Sequence, residues 1–266
     1  MIAAIVCADK NWGIGYQGDL LAKIPEDMAF FKKQTEGETV IMGRKTYDSL
    51  PVKPLPNREN IIISRTHIPK HNECGVRIHE KGDYFPYRLE QVQTILDFVQ
   101  RCDNTVKINN MFIIGGGQIY KELLPYCQKV YVTEIDNAFK NVDTYFPNLD
   151  EMPNWWLIES SKPKEYEGLT YRFNVYEQVN YEILDVVSDY TNNKEVIRIR
   201  FYGDDVVHNI VIKYFFHGSE TVKLQTFTVP ALCCKKNFDK FMVKVQFYKQ
   251  NKEKLQKEFM DKHGLK

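Results

Sequence analysis

The stretch Met111-Phe112-Ile113-Ile114 runs into Gly115-Gly116-Gly117 and then into Gln118-Ile119-Tyr120-Lys121-Glu122-Leu123-Leu124, whose apolar residues recur at helical spacing. No other feature restricts the fold as much. A buried strand must hand over to a helix through three residues without side chains, so bare backbone lies open at the strand's carboxyl end. First-turn N–H groups of such a helix point into that space, a geometry that holds phosphate or pyrophosphate. A tight strand-to-helix turn uses the same glycines, so the run alone leaves both readings open.

The surrounding chain repeats the strand-then-helix order. Ile2 to Cys7 is a near-continuous apolar run, as in a strand buried on both faces. It lacks a basic flank and reads as a first strand, not as a leader peptide. The glycine-rich loop Asn11–Asp19 follows, and Pro25-Glu26-Asp27 opens a helix, with proline suited to its first turn and acids to its positive end. Strands are expected at Val40–Met42, Asn60–Ser64 and Val130–Ile135. Helices are expected at Tyr47–Leu50 and Leu89–Cys102, and a closing hairpin at Trp155–Glu159 with Thr170–Glu177. The alternation predicts an α/β fold with a mainly parallel sheet wrapped by helices.

From Tyr181 the texture changes to β-branched and aromatic runs between turn signals: Glu195–Tyr202, Val206–Phe216, Thr221–Val229 and Phe238–Phe247. In the last, Phe241, Val243, Val245 and Phe247 alternate with Met242, Lys244 and Gln246, two of them polar. Asn251–Lys262 has the pattern of a basic helix. A small β-rich α+β domain, an antiparallel meander plus a terminal helix, is expected at 180–266, after a first domain at 1–179.

The net charge of +1 gives no strong field for nucleic acid or membrane. Residues 235–266 do carry ten lysines against four acids, which keeps nucleic acid as a second reading of the tail. Association with a protein partner or with a second copy of the chain is the first reading. The six cysteines show no metal-ligand spacing, so no metal is expected, and thiols of a reducing cytoplasm are.

Ligands of an open parallel sheet sit at the carboxyl ends of its strands. Gly43-Arg44-Lys45-Thr46 follows one strand and supplies a close approach, two cations and a hydroxyl at a helix start. Ser64-Arg65 ends another. Each basic pair alone also fits a solvated loop. Three such strand ends together point to a ligand with several phosphates, such as a dinucleotide with a ribose phosphate. The usual GxGxxG is absent. Asp27 is the best chemical candidate. It sits in a helical first turn beside Phe30 and Phe31, where partial desolvation raises its pKa and the helix N-terminus opposes that. Such a carboxylate can hold an amino-pyrimidine-like ring by two parallel hydrogen bonds and support proton delivery. A helix-capping acid would stand in the same place, a role that fits Glu26.

Taken in order, Ala3-Ala4, Gly13-Ile14-Gly15, Ile24-Pro25-Glu26-Asp27-Met28, Ile41-Met42-Gly43-Arg44-Lys45-Thr46, Pro54-Leu55-Pro56-Asn57-Arg58, Ile113 to Tyr120 and Tyr131-Val132-Thr133 closely resemble dihydrofolate reductase. The resemblance spans about residues 1–178 and implies an NADPH-dependent reduction of dihydrofolate to tetrahydrofolate. It makes Asp27 the pterin-binding acid, assisted by the Thr133 hydroxyl. Met28, Phe31, Leu50 and Ile114 would line the pterin and aminobenzoyl pocket, which antifolate-like molecules would share. Arg58 would pair with the α-carboxylate of the folate glutamate. Ala4, Ile14 and Gly15 would border the nicotinamide, and Gly115, Gly116, Gly117, Gln118, Ile119 and Tyr120 would take the pyrophosphate. Gly43, Arg44, Lys45, Thr46, Ser64 and Arg65 would surround the adenosine end and its 2′-phosphate. Asn11–Lys23 resembles the loop that closes over the site.

Two departures stand out. After Leu20 the family commonly has Pro-Trp, with the tryptophan covering the pterin; here Leu21-Ala22 follow, and Trp12 or Tyr16 are candidates to fill the space. The tail after residue 179 lies outside the family core. A riboflavin-pathway pyrimidine reductase and an inactive nucleotide-binding regulator are the alternatives on the same fold; Pro25-Glu26-Asp27 and Arg58 favour the folate enzyme.

Overall fold

A computed structural model of the chain describes residues 1–64, 84–87, 89–101, 110–189, 194–201, 207–217, 219–225 and 230–262. They divide into two compact units, Met1–Asn148 with Glu159–Glu177, and Leu149–Ile158 with Gln178–Lys266. The expected single boundary at 179/180 is thus replaced by three crossings, because Leu149–Ile158 belongs to the second unit. No helix among the described residues is long and apolar enough to cross a membrane.

The first unit opens with β1 (Ile2–Asp9), β2 (Gly13–Tyr16), β3 (Asp19–Leu20), α1 (Pro25–Thr35), β4 (Thr39–Gly43) and α2 (Arg44–Ser49). Next come β5 (Glu59–Ile63), β6 (Tyr84–Tyr87), α3 (Leu89–Arg101), β7 (Met111–Gly115), α4 (Gly117–Leu123), β8 (Lys129–Ile135) and β9 (Thr144–Tyr145). After β10 (Trp155–Ser160), the strands β11 (Lys164–Tyr166) and β12 (Leu169–Gln178) complete it. The main sheet has the order β12-β8-β1-β7-β4-β5-β6. Neighbours from β8 to β6 are parallel, and β12 runs antiparallel to β8. β1 is buried along nearly its whole length, as its unbroken apolar run requires of a strand covered on both faces. β11 folds back on β12, a short strand that the sequence reading does not place.

α1 inverts the usual amphipathic arrangement. Its buried residues are Asp27 and Thr35, while Phe30 and Phe31 are half-buried and Met28 is exposed. A helix shaped only by core packing would bury the aromatics and expose the polar groups. The half-buried Phe31, Leu50, Leu55 and Ile114 all pack on one cluster formed by Ala3, Ile5, Val40, Met42, Ile62 and Phe112. Apolar surface is therefore left open along one side of α1.

The second unit is a meander of β13 (Tyr181–Asp189), β14 (Lys194–Phe201), β15 (Val207–His217) and β16 (Ser219–Gln225), followed by α5 (Lys235–Lys262). Its core gathers Trp156, Tyr181, Ile197, Ile199, Ile210, Ile212, Leu232, Phe241 and Val245. The strand expected at Phe238–Phe247 is part of α5 instead. Phe241 and Val245, four apart, are fully buried, whereas Val243 is 70% and Phe247 57% exposed. Alternate apolar residues matched a strand, but the buried set Phe241, Val245 and Tyr248 follows the helical period.

Nor do the α5 lysines form one solvated face. Lys240 is buried and donates to the carbonyls of Leu149 (2.6 Å) and Trp155 (2.5 Å). Burial pushes its pKa down to about 8. Lys244 donates to Tyr181 O, Lys236 pairs with Asp150, and Lys249 pairs with Glu195.

Candidate active site

Three strand ends meet at the carboxyl edge of the sheet. β4 lies between β5 and β7, with Gly43 opposite Ile63 and Met42 opposite Gly115. Gly43-Arg44, Ser64 and Gly115-Gly116 therefore leave the sheet side by side. Gly115 has φ +124°, a conformation open to glycine and strained for other residues. A Cβ on Gly116 would lie 3.2 Å from the Thr46 hydroxyl, and one on Gly43 would lie 3.0 Å from Ile119 Cγ1. The two junctions thus form one surface of bare backbone, closed beneath by Thr46, Ile119 and Tyr120. The Tyr120 hydroxyl donates to Ile5 O (2.7 Å), which ties α4 to β1. α4 begins without a side-chain cap, so its first N–H groups are not taken by one. Arg44 and Lys45 are exposed beside this surface, and Ser64 is buried at its edge. Arg65 lies outside the described residues.

Asp27 is 6% exposed and accepts a 2.5 Å hydrogen bond from Thr133 Oγ1 of β8. Burial raises its pKa, and the Thr133 bond pulls the other way. Residues 27, 31 and 35 follow at four-residue intervals on one face of α1. Phe31 stands one turn beyond Asp27, and its ring centroid is 5.7 Å from the Arg58 guanidinium carbon. Arg58 is buried, donating from Nε to Thr35 Oγ1 (2.8 Å) and from Nη1 to Pro56 O (3.0 Å). Acid, aromatic middle and cation thus follow one helix face over eight residues, about 12 Å. A ligand with an amidine-like ring at one end, an apolar centre and a carboxylate at the other would match this order. Ile114 and Leu50 add half-buried apolar surface on the same cluster as Phe31, and Met28 an exposed side chain.

Ala4 and Ile14 are buried on β1 and β2, and Gly15 is held in β2 against Thr144 of β9. The loop from Asp9 to Leu20 is fixed by residues that the sequence reading does not single out. The buried Asp9 carboxylate accepts from the backbone N–H groups of Asn11 (2.9 Å), Gly13 (2.8 Å) and Phe139 (3.0 Å). Asp143 accepts from Gln17 N (2.7 Å). Trp12 is buried against Phe146 and Tyr176, and Tyr16 is exposed, so Trp12 is committed to packing away from Ala22. Ala22 instead packs on the cluster of Ile24, Ile135 and Tyr171, together with Cys7 and Phe173. Among the described residues no cluster of His, Cys, Asp and Glu could hold a metal ion.

Residues 1–178 match the family model described as Dihydrofolate reductase. The dihydrofolate reductase of Bacillus subtilis is 35% identical over 182 residues, 68% of this chain and 96% of that protein. That of Neisseria gonorrhoeae is 35% identical over 176 residues, 66% of this chain and 96% of its own length. A bifunctional dihydrofolate reductase-thymidylate synthase of Daucus carota is 32% identical over 203 residues, covering 69% of this chain and 35% of that protein. In structure the chain is similar to a dihydrofolate reductase from Enterococcus faecalis complexed with NADP(H) and RAB-propyl. That similarity has TM-score 0.52 and 26% identity, covering 67% of this chain and 96% of the other.

Proposed function

The chain belongs to the dihydrofolate reductase family over residues 1–178, and on that premise we propose that it reduces 7,8-dihydrofolate to 5,6,7,8-tetrahydrofolate with NADPH. The observation that carries the reading is the buried Asp27–Thr133 pair one helical turn from Phe31, against which Arg58 stands. The chemistry that NADPH supplies when bound is transfer of a hydride from nicotinamide C4 to pterin C6, while a proton from water reaches N5. Asp27 offers two acceptor oxygens to the pterin N3–H and 2-amino groups, and Thr133 holds that carboxylate in place. A raised Asp27 pKa favours protonation at the pterin. Phe31, Leu50, Ile114 and Met28 contact the rings, and Arg58 takes the glutamate carboxylate.

The strand-end surface fits the cofactor because it is cleared of side chains where a pyrophosphate must approach. Ala4, Ile14 and Gly15 border the nicotinamide. Gly115 to Tyr120 and Gly43 to Thr46, with Ser64, surround the phosphates and adenosine. Arg44 and Lys45 have a use in a 2′-phosphate. Each charge-assisted contact contributes about 1.5–3 kcal/mol, so NADPH should be preferred over NADH by at least about tenfold. Following loss of the reduced nicotinamide with dihydrofolate, using each cofactor in turn, tests both parts. No turnover sinks the reaction, and equal efficiency with NADH removes the assignment of the two cations. In this reading the second unit serves association with a protein or with a second copy of the chain, and has no part in the chemistry.

A further inference from the structure

Glu26, expected as the capping acid of α1, caps nothing: the helix start has no side-chain cap. Its carboxylate turns instead to the β11–β12 hairpin. Oε1 pairs with Lys164 Nζ, and Oε2 accepts from the Tyr171 hydroxyl at 2.6 Å. Lys164 also lies 5.4 Å from the centre of the Phe173 ring, and Phe173 lies 4.7 Å from Phe30, one turn further along α1. Two consecutive residues of the first turn are therefore held from two directions, Asp27 by β8 and Glu26 by the hairpin.

We propose that Glu26 is a positioning residue for Asp27, acting through Lys164 and Tyr171. The proposal rests on the role given to Asp27 above. The Glu26–Lys164 pair is about half exposed at both ends, so it stabilises the fold little. The buried ring of Tyr171, by contrast, delivers one hydroxyl to the helix start. Because Glu26 and Asp27 share a peptide unit, slack at one is slack at the other. Misplacement of a binding group by about 1 Å is enough to slow a reaction severely. Among the described residues, Cys7 of β1, Tyr120 of α4 and Tyr171 of β12 are titratable groups within electrostatic reach of Asp27. Burial holds all three above their ordinary range, so they stay uncharged through acid and neutral pH. Glu26 and Lys164 flank the acid from outside.

The test uses the full chain and three variants. Tyr171→Phe removes only the hydroxyl and leaves the charge pair. Glu26→Ala removes both tethers, and Glu26→Gln keeps an acceptor for Tyr171. In the ligand-free protein, NMR titration of the Asp27 carboxyl carbon reads the Thr133 bond directly. That bond lowers the Asp27 pKa, so its loosening in Tyr171→Phe should move the midpoint up. In the assay, Tyr171→Phe and Glu26→Ala should lose about tenfold in kcat/KM for dihydrofolate, with KM for NADPH unchanged and Glu26→Gln recovering most of the loss. Melting temperatures should stay within about 2 °C of the parent. An unmoved Asp27 midpoint with parental kinetics overturns the proposal. So does a loss shared by both KM values with a parallel drop in melting temperature, which marks general destabilisation. If the parent protein fails to reduce dihydrofolate, the reductase reading falls, and the titration still decides the positioning role.

Discussion

Asp27 occupies a place where an apolar residue would pack at less cost. Burial lifts its pKa above the unfolded value of 3.8. A carboxyl shifted in that direction contributes stability below its unfolded pKa, and the contribution is lost as pH rises through the folded pKa. At neutral pH the ionised group therefore destabilises the fold. Asp27→Asn should melt at a higher temperature than the parent at pH 7, and the gap should close as pH falls through the carboxylate range. The same variant should lose about a hundredfold or more in turnover, because an amide has one acceptor where the pterin needs two. Melting curves across pH, with the reductase assay, check both halves. A variant less stable than the parent at pH 7 would show that burial does not strain the Asp27 carboxylate, and one with parental turnover would exclude Asp27 from the reaction. Asp27 is legible in sequence because a carboxylate stands in a helical first turn beside two phenylalanines. Thr133 is not legible from its own neighbourhood. It lies 106 residues away on β8, and only the family resemblance points to it.

Among elements, those whose signal is local are the ones legible in sequence. The β7–α4 and β4–α2 junctions declare themselves by glycines between an apolar run and a helix, and parallel pairing then sets their ends side by side. The pattern for Phe238–Phe247 misleads, since alternation over four apolar residues fits a strand while the longer period that makes α5 spans its neighbours. The loop from Asp9 to Leu20 shows what sequence hides: its anchors at Phe139 and Asp143 are more than 120 residues distant. The buried Asp9 carboxylate accepts from three backbone N–H groups, of which that of Gly13 is buried and those of Asn11 and Phe139 are part-buried. Asp9→Ala should therefore cost about 1–3 kcal/mol in denaturant unfolding, since the buried Gly13 donor is left unpaired while the two part-buried donors can turn to water. Asp9→Asn should recover part of this, because one acceptor oxygen remains. If Asp9→Ala unfolds at the parental denaturant midpoint, the carboxylate does not hold the loop.

At the scale of the whole molecule, the division of the chain bears on what the tail does. The second unit takes Leu149–Ile158 from within the last thirty residues of the family region. Trp156 enters its core beside Tyr181, Ile197 and Phe241. Asn237 is fully buried, accepting from Leu157 N (2.8 Å) and donating to Leu157 O (2.6 Å) and Ala231 O (2.8 Å). Lys240 closes the same segment at Leu149 and Trp155. The tail is thus bonded to a segment that a chain ending at Gln178 would retain without its partners. Such a chain keeps Asp27, Thr133, Arg58 and the strand-end glycines, so it should fold and reduce dihydrofolate. It should also melt lower than the full chain, since exposing a buried tryptophan costs about 4 kcal/mol, and its tryptophan emission should shift to the red. Trp12, stacked in the first unit, supplies an unshifted background. Melting curves and emission spectra of the two chains decide the matter. Equal melting with unshifted emission would mean that Leu149–Ile158 does not depend on the tail for its burial. A shortened chain that is folded and equally stable but inactive would mean that the tail completes the active site, against the role in association proposed for it.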